Sequence, residues 1–362
     1  MDLCAGRAAL SRARHDLYSE RRGDMSFAFA VSVLLVLAVV FVNGWTDAPN
    51  AIGTAVATRA IRPRPAIYLA VVCNFLGVFL MTAINAQVAE TISQMVSFGQ
   101  AGNQALVGLT AAMVAIVVWA TAAWFFGIPT SESHALIAGL TGAALAMGGL
   151  EAVNMAQWSK VLVGLVLSTV LGLGGGYGIA LVIQRLFSNA NRQRAEVFFQ
   201  KGQLGSAALM AFLHGAQDGQ KFMGVFMLAL FLNGMAQRNA AGSFDIPLWV
   251  MLLCSLVMGL GTLLGGQKII KTVGMDMVKL QKYQGFASDL AAGISLLAAS
   301  LFGLPVSTTH VKTTAIMGVG AARRAKSVDW SVVSEMVWAW VLTFPGCGLI
   351  GYLMAKLFMR LF

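Results

Sequence analysis

Two polar motifs interrupt the apolar sequence in the first half of this chain, and both recur in the second half at nearly the same distance. Phe41-Val42-Asn43-Gly44-Trp45-Thr46-Asp47-Ala48-Pro49-Asn50 aligns with Phe212-Leu213-His214-Gly215-Ala216-Gln217-Asp218-Gly219-Gln220-Lys221, which places Asp47 and Asp218 171 residues apart. Gly127-Ile128-Pro129-Thr130-Ser131-Glu132-Ser133-His134 aligns with Gly303-Leu304-Pro305-Val306-Ser307-Thr308-Thr309-His310, with the two histidines 176 residues apart. The chain is a duplicated unit. Gly, Pro and charged residues at matching positions of two hydrophobic halves are the pattern of solute carriers whose broken helices converge on one binding site.

The intervening sequence fixes the solvent. Uncharged runs cover 25–46, 65–89, 91–131, 161–184, 246–267, 290–311 and 336–355, each at or above the roughly 20 residues a helix needs to cross the hydrocarbon core. Hydrophobic residues make up 58% of the chain and charged residues 11%, against roughly 25% charged in an average soluble domain. Long apolar runs without alternation predict helices rather than a barrel, hence an all-α multi-pass protein of the cell membrane. Cys4, Cys73, Cys254 and Cys347 are scattered and form neither a metal spacing nor a disulfide framework. The net charge of +10 sits in short loops between spans, which fits positive-inside orientation and not nucleic-acid binding.

Those loops predict that the halves run in opposite directions. Arg59, Arg62 and Arg64 follow the first Asp motif, whereas the equivalent loop 234–245 holds only Arg238 and Asp245. The later loops reverse the bias. Loop 86–104 carries only Glu90 while its counterpart at 267–284 carries Lys268, Lys271, Lys279 and Lys282, and 147–157 has only Glu151 while its counterpart has Arg323, Arg324 and Lys326. Two inverted-topology repeats follow, 25–186 and 204–362, joined by a central cytoplasmic loop at 187–203 with Arg192, Arg194 and Lys201. Inversion requires an odd net number of crossings per half, which a helical hairpin around each Pro-Ser/Thr-His stretch supplies. Two features run against the charge rule: Lys356 and Arg360 end on the outer side, and so does the polar leader 1–24 with its five arginines. The leader has no apolar core of its own and does not read as a cleavable signal; Met25 directly precedes the first span, and a start there would remove it.

Carboxylates within a span are costly enough that each is a functional-site hypothesis. Asp47 and Asp218 are such residues, flanked by Asn43, Thr46 and Asn50 in one copy and by Gln217 and Gln220 in the other. Carboxylate and amide oxygens suit a small hard cation or a proton. In the second motif Pro129 and Pro305 break their helices, and Thr130, Ser131, Ser133, Ser307, Thr308 and Thr309 open new ones as capping and first-turn hydroxyls. Two helix N-termini brought together by the repeat form a cradle for an oxyanion. His134, His214 and His310 fall inside the motifs as orienting or proton-relaying groups. Lys221 is placed either to meet the anion or to pair with an aspartate, and Glu132 to face a water-filled vestibule. No nucleophile with an oriented base is visible, and duplication of every polar motif is not what an asymmetric reaction needs, so the chain is not read as an enzyme.

With these residues in place, the stretches Gly44–Val56, His214–Lys221, Pro129–Ala135 and Pro305–Val311 resemble, in order and spacing, the signatures of the inorganic phosphate transporter (PiT) family. The resemblance covers nearly the whole chain from Met25. It implies symport of inorganic phosphate with Na⁺ or H⁺ by alternating access, an inverted-repeat fold with hairpins and, in many members, a homodimer. It also implies that Asp47, Asn50, Gln217, Asp218 and Gln220 form the ion and substrate site, with Na⁺ on Asp47 and Asp218 if sodium is the coupling ion. Ser131, Ser133, Ser307, Thr308 and Thr309 would then surround the phosphate. No cofactor beyond the coupling ion is expected. This chain departs from the family where Asn usually precedes each Asp, carrying Thr46 and Gln217 instead. Protonated phosphate can donate hydrogen bonds to the aspartates and sulfate cannot, which favours phosphate; a sulfate or other oxyanion permease of the same superfamily is the alternative.

Overall fold

The computed structural model describes residues 27–99, 102–128, 130–240, 242–264, 270 and 277–362. The leader 1–24, Cys4, Pro129, Lys268 and Lys271 lie outside the described residues. The helices are α1 (27–46), α2 (Pro49–Ala57), α3 (Pro63–Ile84), α4 (Gln87–Ser93), α5 (Asn103–Phe126), α6 (Glu132–Gly148), α7 (Met155–Leu186), α8 (Arg192–His214), α9 (Gln220–Leu232), α10 (Leu248–Leu264), α11 (Lys282–Leu301), α12 (Thr308–Arg323) and α13 (Trp330–Leu361). Among the described residues, six helical stretches are long and apolar enough to cross a membrane, and α10 is a shorter apolar helix.

Helix ends follow local chemistry. Gly127 (φ 70°) and Gly303 (φ 63°), equivalent in the repeat, stop α5 and α11 in the left-handed region where a Cβ is disfavoured. Ser131 and Ser307 then start α6 and α12 by accepting the backbone N–H of His134 and His310, at 3.3 and 3.1 Å. Asn191 caps α8, so the connector expected over 187–203 is irregular only through 191 and its remainder is helix.

Each α5–α6 and α11–α12 pair is a hairpin that returns to the side from which it entered. Val96, before α5, forms an antiparallel β-bridge with Val153, after α6; Val278 and Val328 do the same around α11 and α12. The hairpins therefore add no net crossing. Each half keeps three other helical segments (α1–α2, α3 and α7; α8–α9, α10 and α13), an odd number. Loops 86–104, 147–157 and 234–245 meet at one end, where Gln94 bonds to both Gly242 and Gln157 and Arg238 bonds to the carbonyl of Ser93. At the other end Lys282 pairs with Glu196 at 3.2 Å, and Thr58, just before Arg59, donates to Gln203 of α8. Basic loops share one end and bare loops the other. The C-terminus of α13, with Lys356 and Arg360, emerges at the bare end.

Glycines record the two-fold relation. A methyl on Gly77 would stand 1.8 Å from the carbonyl oxygen of Phe212, and one on Gly261 would stand 2.1 Å from that of Phe41. Likewise Gly215 lies against Asn74 and Gly44 against Met258, Gly142 against Gly348 and Gly318 against Leu173. Every contact has its partner with the halves exchanged, which is the isologous pattern a two-fold axis generates. The last helix of each half packs on the second hairpin helix of the other: α7 on α12 and α13 on α6. The copies differ at the Asp motifs. Pro49 removes a donor and α1 ends before it, whereas Gln220 occupies the equivalent place and the chain passes through one π-helical turn, Gly215–Gly219, without breaking.

These contacts predict that Gly77→Ala and Gly261→Ala each lower the thermal unfolding midpoint in detergent, because overpacking of this kind costs about 1–3 kcal/mol. Gly178→Ala, whose methyl would meet open space, leaves the midpoint unchanged or raised.

Candidate functional site

The Asp motifs and the hairpin tips meet in the middle of the protein. Equivalent residues touch one another there, as they can only on the two-fold axis: Ser307 Oγ donates to Ser131 Oγ at 2.7 Å, and the rings of His134 and His310 pack edge to face with centroids 4.3 Å apart. Asp47 and Asp218 are 2% and 0% exposed, and single donor atoms of Asp47, His214 and Asp218 lie within 4.8 Å of one another. The carboxylates therefore face neither lipid nor each other from a distance.

The two copies use the same construction with different charge. In the first, Asn50 Nδ2 donates to Asp47 Oδ1 three residues back, at 2.6 Å, and to Thr309 Oγ1 on the opposite hairpin at 3.1 Å; Thr309 also donates to Asp47. In the second, Lys221 takes the place of Asn50. Its Nζ donates to Asp218 Oδ1, to Ser133 Oγ and to the carbonyl of Val306, each at 2.6 Å. Asp218 Oδ2 accepts from Thr308 at 3.0 Å and Asn43 at 3.3 Å and lies 3.2 Å from His214 Nε2. His214 Nδ1 is held by Asn74 Oδ1 at 2.9 Å. Asp218 is thus neutralised by Lys221, while Asp47 is met only by neutral donors.

Glu132, expected to face a water-filled vestibule, is instead 2% exposed and accepts from Thr46 of the first Asp motif. The reason is the hairpin: its tip folds inward, so the first residue of α6 enters the protein. Asn43 Oδ1, Asp47 Oδ2, Asn50 Oδ1 and Glu132 Oε2 are all buried and accept no hydrogen bond. Partnerless oxygens on carboxylates and amides are hard donors, and such atoms in a native interior call for an ion or water.

Other expected site residues lie at the margin. Gln217 donates to Ser300 Oγ and the Leu304 carbonyl, and Gln220 to the Asn85 carbonyl, so both brace neighbouring backbone away from the carboxylates. Thr130 is half-buried at the hairpin tip, and its backbone N–H donates to the Ile128 carbonyl. His134 and His310 stack on Phe344 and Trp340 respectively, and only His214 reaches an aspartate. One contributor, Asn74, escaped the motif reading, and another, Glu132, was read there with the wrong surroundings. Asn74 is the one amide inside the uncharged run 65–89 before Asn85, and Glu132 stands at the end of run 91–131; isolation within apolar sequence was the available signal.

The fold and site together define a multi-pass membrane protein built of inverted repeats around a buried polar centre. The profile of the phosphate transporter family matches residues 43–351. A Bacillus subtilis (strain 168) protein described as a probable low-affinity inorganic phosphate transporter is 37% identical over 319 residues, 88% of this chain and 93% of that protein. One from Rhizobium meliloti (strain 1021), described in the same words, is 37% identical over 334 residues, 91% of this chain and 97% of that protein. A solved structure described as the sodium-dependent phosphate transporter superposes with a TM-score of 0.81 at 23% identity, covering 93% of this chain and all of the other. This chain belongs to the phosphate transporter family, a family of multi-pass membrane transporters and not of enzymes.

Removing one partner of a buried ion pair leaves an uncompensated charge at a cost of about 3–5 kcal/mol. Lys221→Met is therefore expected to lower the unfolding midpoint more than the double variant Lys221→Met with Asp218→Asn, measured side by side in detergent.

Proposed function

We propose that the chain imports inorganic phosphate by symport with Na⁺, through alternating access around the central site. The observation that carries this is the charge balance of the centre. Three buried carboxyl groups, Asp47, Asp218 and Glu132, share the centre with one ammonium, that of Lys221, which pairs with Asp218. A multiply charged anion entering alone would be repelled, because Coulomb terms at this range are several-fold stronger than in water. A cation must accompany it.

On this reading the two solutes take separate places. Asn43, Asp47, Asn50 and Glu132 offer partnerless oxygens suited to Na⁺. Beside them, the N-termini of α6 and α12 aim backbone N–H groups at the axis, with Ser131, Ser133, Ser307, Thr308 and Thr309 adding hydroxyls; that is the chemistry of an oxyanion cradle. A protonated phosphate can donate a hydrogen bond to Asp218 while its other oxygens take the N–H groups. Sulfate has no such proton at neutral pH. Because Asp47 and Asp218 are buried from both ends, release requires the halves to open on one side at a time, rocking about the hairpin contact.

Radiolabelled phosphate uptake into proteoliposomes under imposed Na⁺ or proton gradients tests this. Uptake should follow the inward Na⁺ gradient, and Asp47→Asn and Glu132→Gln should each reduce the Na⁺-driven component by about tenfold or more, as loss of a charged ligand implies. Sulfate in excess should not compete. Uptake indifferent both to Asp47→Asn and to collapse of the two gradients would refute the reading.

A further inference from the structure

One layer from the central site, toward the basic end, lies a second buried ion pair that the transport step above does not use. Asp289 of α11 and Lys312 of α12 are both 0% exposed. Lys312 Nζ donates to Asp289 Oδ1 and, at 3.1 Å, to Thr54 Oγ1. Thr54 donates to Asp289 Oδ1 at 2.6 Å and Ser206 to Oδ2 at 3.2 Å. Thr54 follows Asn50 by four residues on α2, and Lys312 follows Thr308 by four on α12. The layer is therefore one helical turn, about 5.4 Å, beyond the central ligands. Past it, Thr58 donates to Gln203 Oε1 at 2.8 Å, and Gln203 Nε2 is buried without a partner. Thr58 also lines a cavity of about 570 Å³ at the basic end, together with Arg192, Lys282 and Tyr283.

The repeat shows what this layer needs for packing alone. The equivalents of Thr54, Ser206, Asp289 and Lys312 are Val225, Leu35, Met113 and Leu136, an apolar set on the opposite side of the site. Val225, Met113 and Leu136 are fully buried, so the scaffold closes such a layer without charge. Replacing a buried ion pair by apolar residues of similar volume is often neutral or stabilising. Stability does not account for a charged pair here, and the position on the route between centre and cavity does.

We propose that Lys312 and Asp289 form a second station for the cotransported solutes on the way to the basic end. The pair separates as they pass: Lys312, with the hydroxyls of Thr54 and Ser206, takes the phosphate, and Asp289 takes the coupling cation. Anion and cation then cross together and the layer's net charge stays zero. The assignment rests on the symport reading above, but it concerns passage, not central binding.

The test compares wild-type protein with Asp289→Met/Lys312→Leu, which copies the chain's own apolar layer. Two readouts are taken: Na⁺-dependent binding of labelled phosphate in detergent, and phosphate flux in proteoliposomes. The proposal expects binding within about threefold of wild type and kcat for flux reduced at least tenfold. Flux at the wild-type kcat overturns it, since the charges would then be packing. Loss of binding together with flux in a folded variant also overturns it, since the pair would then belong to the central site. If the double variant does not fold, the exchanged pair Asp289→Lys/Lys312→Asp decides: flux above a third of wild type supports a station needing one charge of each sign, and flux below a tenth with binding intact overturns it. Wild-type protein that neither binds nor carries phosphate removes the symport reading itself.

Discussion

The Lys221 ammonium is the interaction through which the centre is assembled. Its three protons go to three structural units: Asp218 in the π turn, Ser133 on one hairpin and the Val306 carbonyl on the other. A lysine has three donors and no acceptor, so none is left over and no part of the junction can shift without unpairing a buried charge. Asn50 does the same service for the first copy with two bonds, to Asp47 and Thr309. The hairpin tips, which are loops by sequence, are fixed at the axis because these side chains hold them.

Symmetry provides the scaffold, and departures from it provide the chemistry. The glycine contacts, the β-bridges at the hairpin feet and the exchange of hairpin helices between halves all repeat with the copies reversed. Charge does not repeat. Lys221 stands opposite Asn50, His214 opposite Asn43 and Glu132 opposite Thr308. The first copy keeps uncompensated oxygens, and the second is neutralised by its own ammonium. An exactly repeated pair of sites would bind two solutes of one sign; the unequal charge of the copies is what the proposed pairing of an anion with a cation rests on.

Much of this was legible in the sequence because membrane burial makes polar residues conspicuous. A charge in an apolar run has few harmless explanations, and the alternating basic and bare loops announced inversion before any helix was placed. Glu132 was misread because a hairpin tip and a helix end at the membrane surface have the same sequence, and only the inward fold distinguishes them. Gln217 lies inside the π turn and Gln220 directly after it, and no spacing rule for an α-helix anticipates how such a turn re-aims them. Asp289 and Lys312 bound the uncharged run 290–311 on either side, so they read as span ends, although both lie fully buried inside the protein.

An excess of carboxylate in a phosphate transporter is at first sight a defect; on the symport proposed above, the closed geometry would turn it into coupling. With water excluded, a cation held as proposed among Asn43, Asp47, Asn50 and Glu132 would remove repulsion that the incoming anion otherwise meets at short range. By linkage, the anion would then raise the affinity for the cation by the same factor. Neither ligand needs to deform the protein for this; the shared field of a few fixed groups suffices. A site neutral without its ions would bind phosphate more readily and couple it to nothing, since a cation that makes no difference to anion binding cannot drive it.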